Sequence, residues 1–154
     1  GNQLIAVQLR ADLAHQRGKV RLSGYDATKR DRIEKEAGRD ALGAEVSGGR
    51  SGPQIVESVF PGAESWRVRE VPLKDDEAEA WARAEMLRRG RRFVTVSGIT
   101  NGTPDMIVGA RLRLEGVGRP FEGAPYYVTR VQHTYDLHSA HRTHFEAERG
   151  VVSA

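Results

Sequence analysis

The sequence predicts an α+β fold, mainly β: a small antiparallel barrel or two packed sheets covered by one longer α-helix. Three observations carry this expectation. Eight short segments are rich in strand-forming residues, several with apolar side chains at spacing two, as strand side chains alternate between faces. Gly, Pro, Asn and Asp break the chain between them. Only one segment, 75–90, combines apolar residues at spacings of three and four with charges suited to both ends of a helix. Leu, Ile, Val and Phe supply 34 of the 154 residues, about 22%, barely above the ~20% below which a chain tends to disorder. The expected core is thin, and the length fits one domain, 1–154.

Taken in order, residues 4–10 and 19–24 read as strands, with Ile5, Val7 and Leu9, then Val20 and Leu22, as apolar positions at spacing two. Asp26 is placed to cap a short helix over 27–37, where Ile33 and Ala37 lie four apart, and Gly38 to end it. Residues 38–53 hold Gly38, Gly43, Gly48, Gly49 and Gly52 beside Ser47, Ser51 and Pro53. Ordering such a stretch costs much entropy for little burial, so a flexible Gly-rich loop is expected. A phosphate-binding reading of Gly48, Gly49, Arg50, Ser51 and Gly52 fails for want of the Gly-Lys-Ser/Thr ending.

Strands follow at 54–59 and 65–71, divided by Pro61 and Gly62. The longer helix comes next. Asp75 or Asp76 caps it, Glu77 and Glu79 stand in its first turn, Arg88 and Arg89 in its last, and Gly90 stops it. Ala78, Trp81, Ala82 and Met86 form a narrow apolar stripe that requires a sheet to pack on. Strands then occupy 92–100, 110–116, 125–135 and 142–149, separated by Asn101 and Gly102 and by the breaks between Gly118 and Gly123.

Composition excludes several classes of function. There is no cysteine, hence no disulfide framework, thiolate metal site or thiol nucleophile. The 24 Lys and Arg against 21 Asp and Glu leave a net charge of +3, which demands no polyanion partner. The longest apolar runs fall short of the ~18 residues a membrane span requires. A soluble chain is expected, and its opening Gly1 suggests an internal boundary or a processed end.

The remaining chemistry is sparse. His133, His138, His141 and His144 fall within twelve residues. If Tyr135 pairs with Arg142 in a hairpin, His133 faces His144 and the two rings could share a metal, with Asp136 and Glu146 as oxygen ligands. Ser139 or Ser97 could serve as a nucleophile beside these groups, but the Gly-x-Ser-x-Gly elbow is missing. The carboxylates Asp75, Asp76, Glu77 and Glu79 are explained by the start of a helix. Arg88, Arg89, Arg91 and Arg92 flank Gly90 as the one compact basic cluster. It could meet phosphates, or simply complement a helix C-terminus.

A longer pattern runs through the chain. Val71 and Pro72 are followed by Asp76, Glu77, Ala78, Glu79, Ala80 and residues 82–87. Phe93, Gly98 and Gly102 come next, then Leu112, Arg113, Leu114, Glu115, Gly116, Val117 and Gly118. Phe121, Glu122, Gly123, Tyr126, Tyr127, Val128, Thr129, Val131, His133 and Tyr135 lead to Thr143, His144, Phe145 and Arg149. Upstream, Leu13, Ala14, His15 and Gln16 precede Val20, Gly24, Tyr25, Asp26 and Lys29. This pattern resembles the C-terminal part of the phage late control protein D family, with Tyr25 where that family has Trp. Ser139, Ala140, His141, Arg142 and Thr143 depart from its usual glycine-containing turn.

The resemblance implies a phage tail-tube-like barrel from the baseplate hub, or tail-tube initiator, of a contractile phage tail or related injection system. In such hubs each subunit carries two related barrels and three subunits place six in a ring, joining a threefold spike to a sixfold tube. A chain of this length holds one barrel, expected to be the second, excised from a longer hub protein. The implied role is structural and non-catalytic, without catalytic, cofactor or metal residues. The expected partners are further copies in a trimer, tail-tube proteins and spike proteins, with no membrane and no specific nucleic-acid binding. The implied location is the virion, or the bacterial cytoplasm during assembly. Two other readings are kept: a metal-dependent enzyme using His133 and His144, and a nucleic-acid-binding small barrel using the Arg88 to Arg92 cluster.

Overall fold

Strand-forming residues dominate the fold as they do the sequence. The computed structural model describes residues 3–46, 48–67 and 74–153. Among them are ten strands and two α-helices: β1 Leu4–Ala11, β2 Lys19–Asp26, β3 Asp31–Ala37, a 3-10 helix Arg39–Glu45, β4 Gly49–Ser51, α1 Gly52–Val59, β5 Glu64–Arg67, α2 Asp75–Arg91, β6 Val94–Asn101, β7 Arg111–Leu114, β8 Gly123–Asp136, β9 Ala140–Arg149 and β10 Val151–Ser153. The expected α+β, mainly β class is observed.

Five strands in the order β1-β6-β9-β8-β7, all antiparallel, form one sheet that curls into a half-barrel. Phe93, Val94, Val96, Met106, Leu114, Tyr126, Val128, Phe145 and Ala147 fill its apolar side. A second sheet, β3-β2-β5, pairs β2 antiparallel with β3 and parallel with β5. Its core is Val20, Leu22, Ile33 and Ala37 against Leu42 and against Ala78, Ala82 and Met86 of α2. The longer helix therefore lies on the small sheet. The shorter α1 reaches the half-barrel core, through Ile55. Two small cores replace the single thin one expected, and α2 buries three of the four stripe residues while Trp81 stays 38% exposed.

Several expectations are corrected. Residues 27–37 form no helix. Asp26 Oδ1 accepts from the backbone N–H groups of Thr28 (2.9 Å) and Lys29 (3.0 Å), closing a turn, and β3 returns along β2. Ile33 and Ala37 lie on one face either way, because a spacing of four is two strand repeats as well as one helical turn. Residues 54–59 belong to α1, not to a strand. Ser51 Oγ accepts from Gln54 N–H at 3.3 Å while Ser51 N–H donates to Gln54 Oε1 at 2.9 Å, a capping box with Pro53 in the first turn.

The stretch 38–53, expected as a loop, contains the 3-10 helix, β4 and the start of α1. Here β4 pairs with β10, which the sequence reading did not anticipate. Of the strand expected over 65–71, residues 68–71 lie outside the described residues, as do Ser47 and Pro72. The N-cap of α2 is Lys74, so Asp75 and Asp76 stand inside the first turn. Gly90 lies within the helix, not beyond it. A Cβ there would overlap the Leu42 side chain, so the missing side chain is what lets the 3-10 helix dock.

The two cores are tied together at the end of α2. Arg91 pairs with Glu45 and lies over the Tyr127 ring, 4.4 Å from its centroid. Gln16 Nε2 donates to the Arg89 carbonyl at 2.6 Å, linking the segment between β1 and β2 to the same turn.

Candidate functional site

The histidine cluster sits on the β8–β9 hairpin, but the register differs by one residue from the one assumed. Tyr135 pairs with His141, His133 with Thr143, and Gln132 with His144. A one-residue slip sends alternate side chains to the opposite face, so His133 and His144 lie on opposite sides of the ribbon and share no site. His133 instead meets His141, their ring centroids 5.5 Å apart, and His141 stacks on Tyr135 at 5.1 Å. His133 Nδ1 lies 3.0 Å from Thr143 Oγ1, which also accepts from Thr103 N–H at 2.9 Å.

The other proposed ligands are engaged elsewhere. Asp136 Oδ1 accepts from the N–H groups of His138 (2.8 Å) and Ser139 (2.6 Å), and these bonds hold its carboxyl below the usual carboxylate range. It closes the hairpin tip. Glu146 pairs with Arg130 at 3.3 Å on the face opposite His133. Among the described residues no group of three His, Cys, Asp or Glu side chains is placed to hold a metal.

Ser97, Gln8, Arg130, Gln132, His144 and Glu146 stand among apolar residues in an open groove of about 460 Å³ that crosses β1, β6, β9 and β8. Among the described residues neither Ser97 nor His144 makes a side-chain hydrogen bond, so no nucleophile–base pair is assembled. Ser139 is part of the Asp136 turn.

The basic cluster is neutralised from several sides. Arg88 and Arg89 both bind Glu85, at 2.9 and 2.7 Å, Arg91 binds Glu45, and Arg92 lies 3.6 Å from Glu148. Glu148 is half-buried among these arginines, and burial raises its carboxyl pKa against their opposing pull. The helix-start carboxylates are likewise structural: Asp75 pairs with Lys29 (3.1 Å) and Lys35 (3.3 Å), which lower its pKa.

What the arrangement does offer is edge. Among the described residues β1 pairs only with β6 and β7 only with β8, so the half-barrel is open. Among the described residues no strand pairs with the outer side of β8 beyond Val128. A groove of about 560 Å³ marks the opening, lined by Leu4 of β1, by Met106 and Phe145, and by Leu112 and Leu114 of β7. Ile5 and Val7 on β1 are 49% and 38% exposed, and at the other end of the sheet Ile107 and Val108 are exposed in the loop before β7. Sequence reasoning passed over this loop, although two adjacent β-branched residues between Pro104 and Gly109 were its visible signal. An unpaired strand edge is a template on which another chain can add, and exposed apolar side chains beside it add surface to bury.

A family model described as the Alg8 N-terminal domain matches residues 1–136. It is this model that matches, and not one for the late control protein D family that the motifs resemble. No curated protein matches the sequence. Among solved structures, the 43 kDa tail protein of prophage MuSo2 from Shewanella oneidensis superposes with a TM-score of 0.65 at 9% identity, covering 97% of this chain and 42% of that one. The tail protein from Neisseria meningitidis MC58 gives 0.56 at 9% identity, over 95% and 40%. A chain from the virion of a native gene transfer agent particle gives 0.53 at 17% identity, over 93% and 27%. The likeness is one of fold, and the chain spans less than half the length of each of these proteins.

Proposed function

The chain belongs to the Alg8 N-terminal domain family, and we propose that it is a non-catalytic barrel domain of a baseplate hub, joining spike to tail tube in a phage tail or related contractile particle. In this reading it is the second tube-type barrel of a longer hub protein of the late control D type. Three such proteins surround the tail axis. The virion is its final location, and the bacterial cytoplasm its place of assembly.

The observation that carries the reading is the open half-barrel, with both edge strands unpaired among the described residues, in a fold shared with tail and particle proteins. A sheet with two free edges gains hydrogen bonds and apolar burial when neighbouring copies close on it, and closed rings are the ordinary outcome of head-to-tail contacts that close.

The test is assembly of the longer parent protein, followed by sedimentation and negative-stain imaging. Trimers with a sixfold-like ring are expected. Replacing Ile5 and Val7 by Lys on the β1 edge is expected to leave folded protein that no longer assembles. A parent that stays monomeric at all concentrations, or assembles equally well with both lysines in place, would overturn the reading.

A further inference from the structure

We propose that His133 and His141 form a two-nitrogen site for a borderline divalent ion such as Zn²⁺, Ni²⁺ or Cu²⁺, on the projecting end of the β8–β9 hairpin. The argument begins with register. Because Tyr135 faces His141 and His133 faces Thr143, His133 and His141 are diagonal neighbours on one face of the ribbon. Diagonal cross-strand side chains of this size reach one another.

Their separation fits a shared ion. Two imidazoles bound through nitrogens at about 2.0–2.1 Å, with a tetrahedral angle at the ion, have ring centroids roughly 5 Å apart. The observed separation is 5.5 Å, with the rings tilted by 54°, so small side-chain rotations complete the geometry.

Both rings are already held. Thr143 Oγ1, with two lone pairs, can accept Nδ1–H of His133 as well as Thr103 N–H, which leaves His133 Nε2 for the ion. His141 lies between the Tyr135 ring and the backbone at Gly102, where a Cβ would overlap the imidazole. Glycine at 102 thus makes room for this ring beside the end of β6. With no third side-chain ligand among the described residues, water completes the coordination shell. The bound ion would staple the two hairpin strands beyond Asn101, where β6 ends.

Calorimetric titration of the untagged chain with Ni²⁺ or Zn²⁺, paired with Cu²⁺ electron paramagnetic resonance, tests the site. One ion per chain is expected, with two nitrogen ligands in the Cu²⁺ spectrum. His133→Gln and His141→Gln should each weaken binding by roughly tenfold or more. His138→Gln and His144→Gln should leave it unchanged. Gly102→Ala should weaken binding while both histidines remain, and thermal melts without metal confirm that each variant folds. No binding by the folded wild-type chain, or binding that survives loss of both His133 and His141, would overturn the proposal. So would binding that falls equally in the His138 and His144 variants.

Discussion

Arg149 lies over the ring of Tyr126, its guanidinium carbon 5.3 Å from the ring centroid, and both residues donate to the same carbonyl oxygen, that of Phe121, at 3.3 and 2.7 Å. Arg149 is 4% exposed. Its remaining bonds go to the Glu122 carbonyl (2.9 Å) and Ser153 Oγ (3.2 Å). Neutral oxygens of the loop before β8 and of Ser153 on β10 therefore stabilise this buried charge. Arg149→Met should cost about 1.5–3 kcal/mol in urea unfolding, the worth of its charge-assisted bonds, because the Phe121 and Glu122 carbonyls keep Tyr126 and Ser153 as donors. Arg149→Lys should recover little, since an ammonium cannot present the same fork.

Gly90 and Leu42 offer a second test. Gly90→Ala gains up to about 1 kcal/mol of helix propensity, yet its Cβ falls on the Leu42 side chain. The overlap should win, with a net loss of about 1–3 kcal/mol. In the Leu42→Ala background the same change should become neutral or stabilising. That sign reversal in a double-mutant cycle is the expected readout. Gly43→Ala, where no atom lies within 4 Å of the added Cβ, is the control.

Glu148 has a raised pKa, so its charged form is less favourable folded than unfolded. The stability linked to its proton is therefore present below the unfolded carboxyl pKa and is lost as pH rises through the folded one. Glu148→Gln cannot lose a proton. Relative to wild type, its melting temperature should match in acid and rise as pH passes through the raised value. A relative fall toward neutral pH would mean that the Arg92 pair, at 3.6 Å, outweighs burial.

The capping box of α1 is the fourth. Ser51→Ala leaves the Gln54 N–H without its side-chain acceptor and should cost about 1 kcal/mol. Ser51→Asp should retain most of that, as measured by chemical denaturation.

The elements whose period is unambiguous are legible in the sequence. β1, β2, β6, β8, β9 and α2 fall where alternation or the three-four stripe put them. Legibility fails where one pattern fits two periods, as at Ile33 and Ala37. At Ser51 and Gln54 the capping signature is present in the sequence, but the glycines around it favour a loop and Ile55, Val56 and Val59 a strand.

The histidine pair was missed by one residue. Residues 137–139 separate Asp136 from Ala140, with Ala140 at φ 56°, and that turn length sets which side chains share a face. No propensity in the sequence specified it. The motif positions are mostly glycines and aliphatics, which report on backbone and packing. They pointed to a tail-type fold, while the family model that matches is another.

The pairing of β4 with β10 joins residues 49–51 to residues 151–153, and Val151 is 1% exposed. On a ribosome adding roughly 5–20 residues per second, β4 waits about 5–20 s for its partner. β6 must likewise form before β1 gains its ladder, and β5 before β2 gains its parallel neighbour. Contacts this distant along the chain slow folding. The nascent chain therefore carries open strands for seconds, and a chaperone that shields β1 and β4 would raise the yield of folded protein more than one acting on α2.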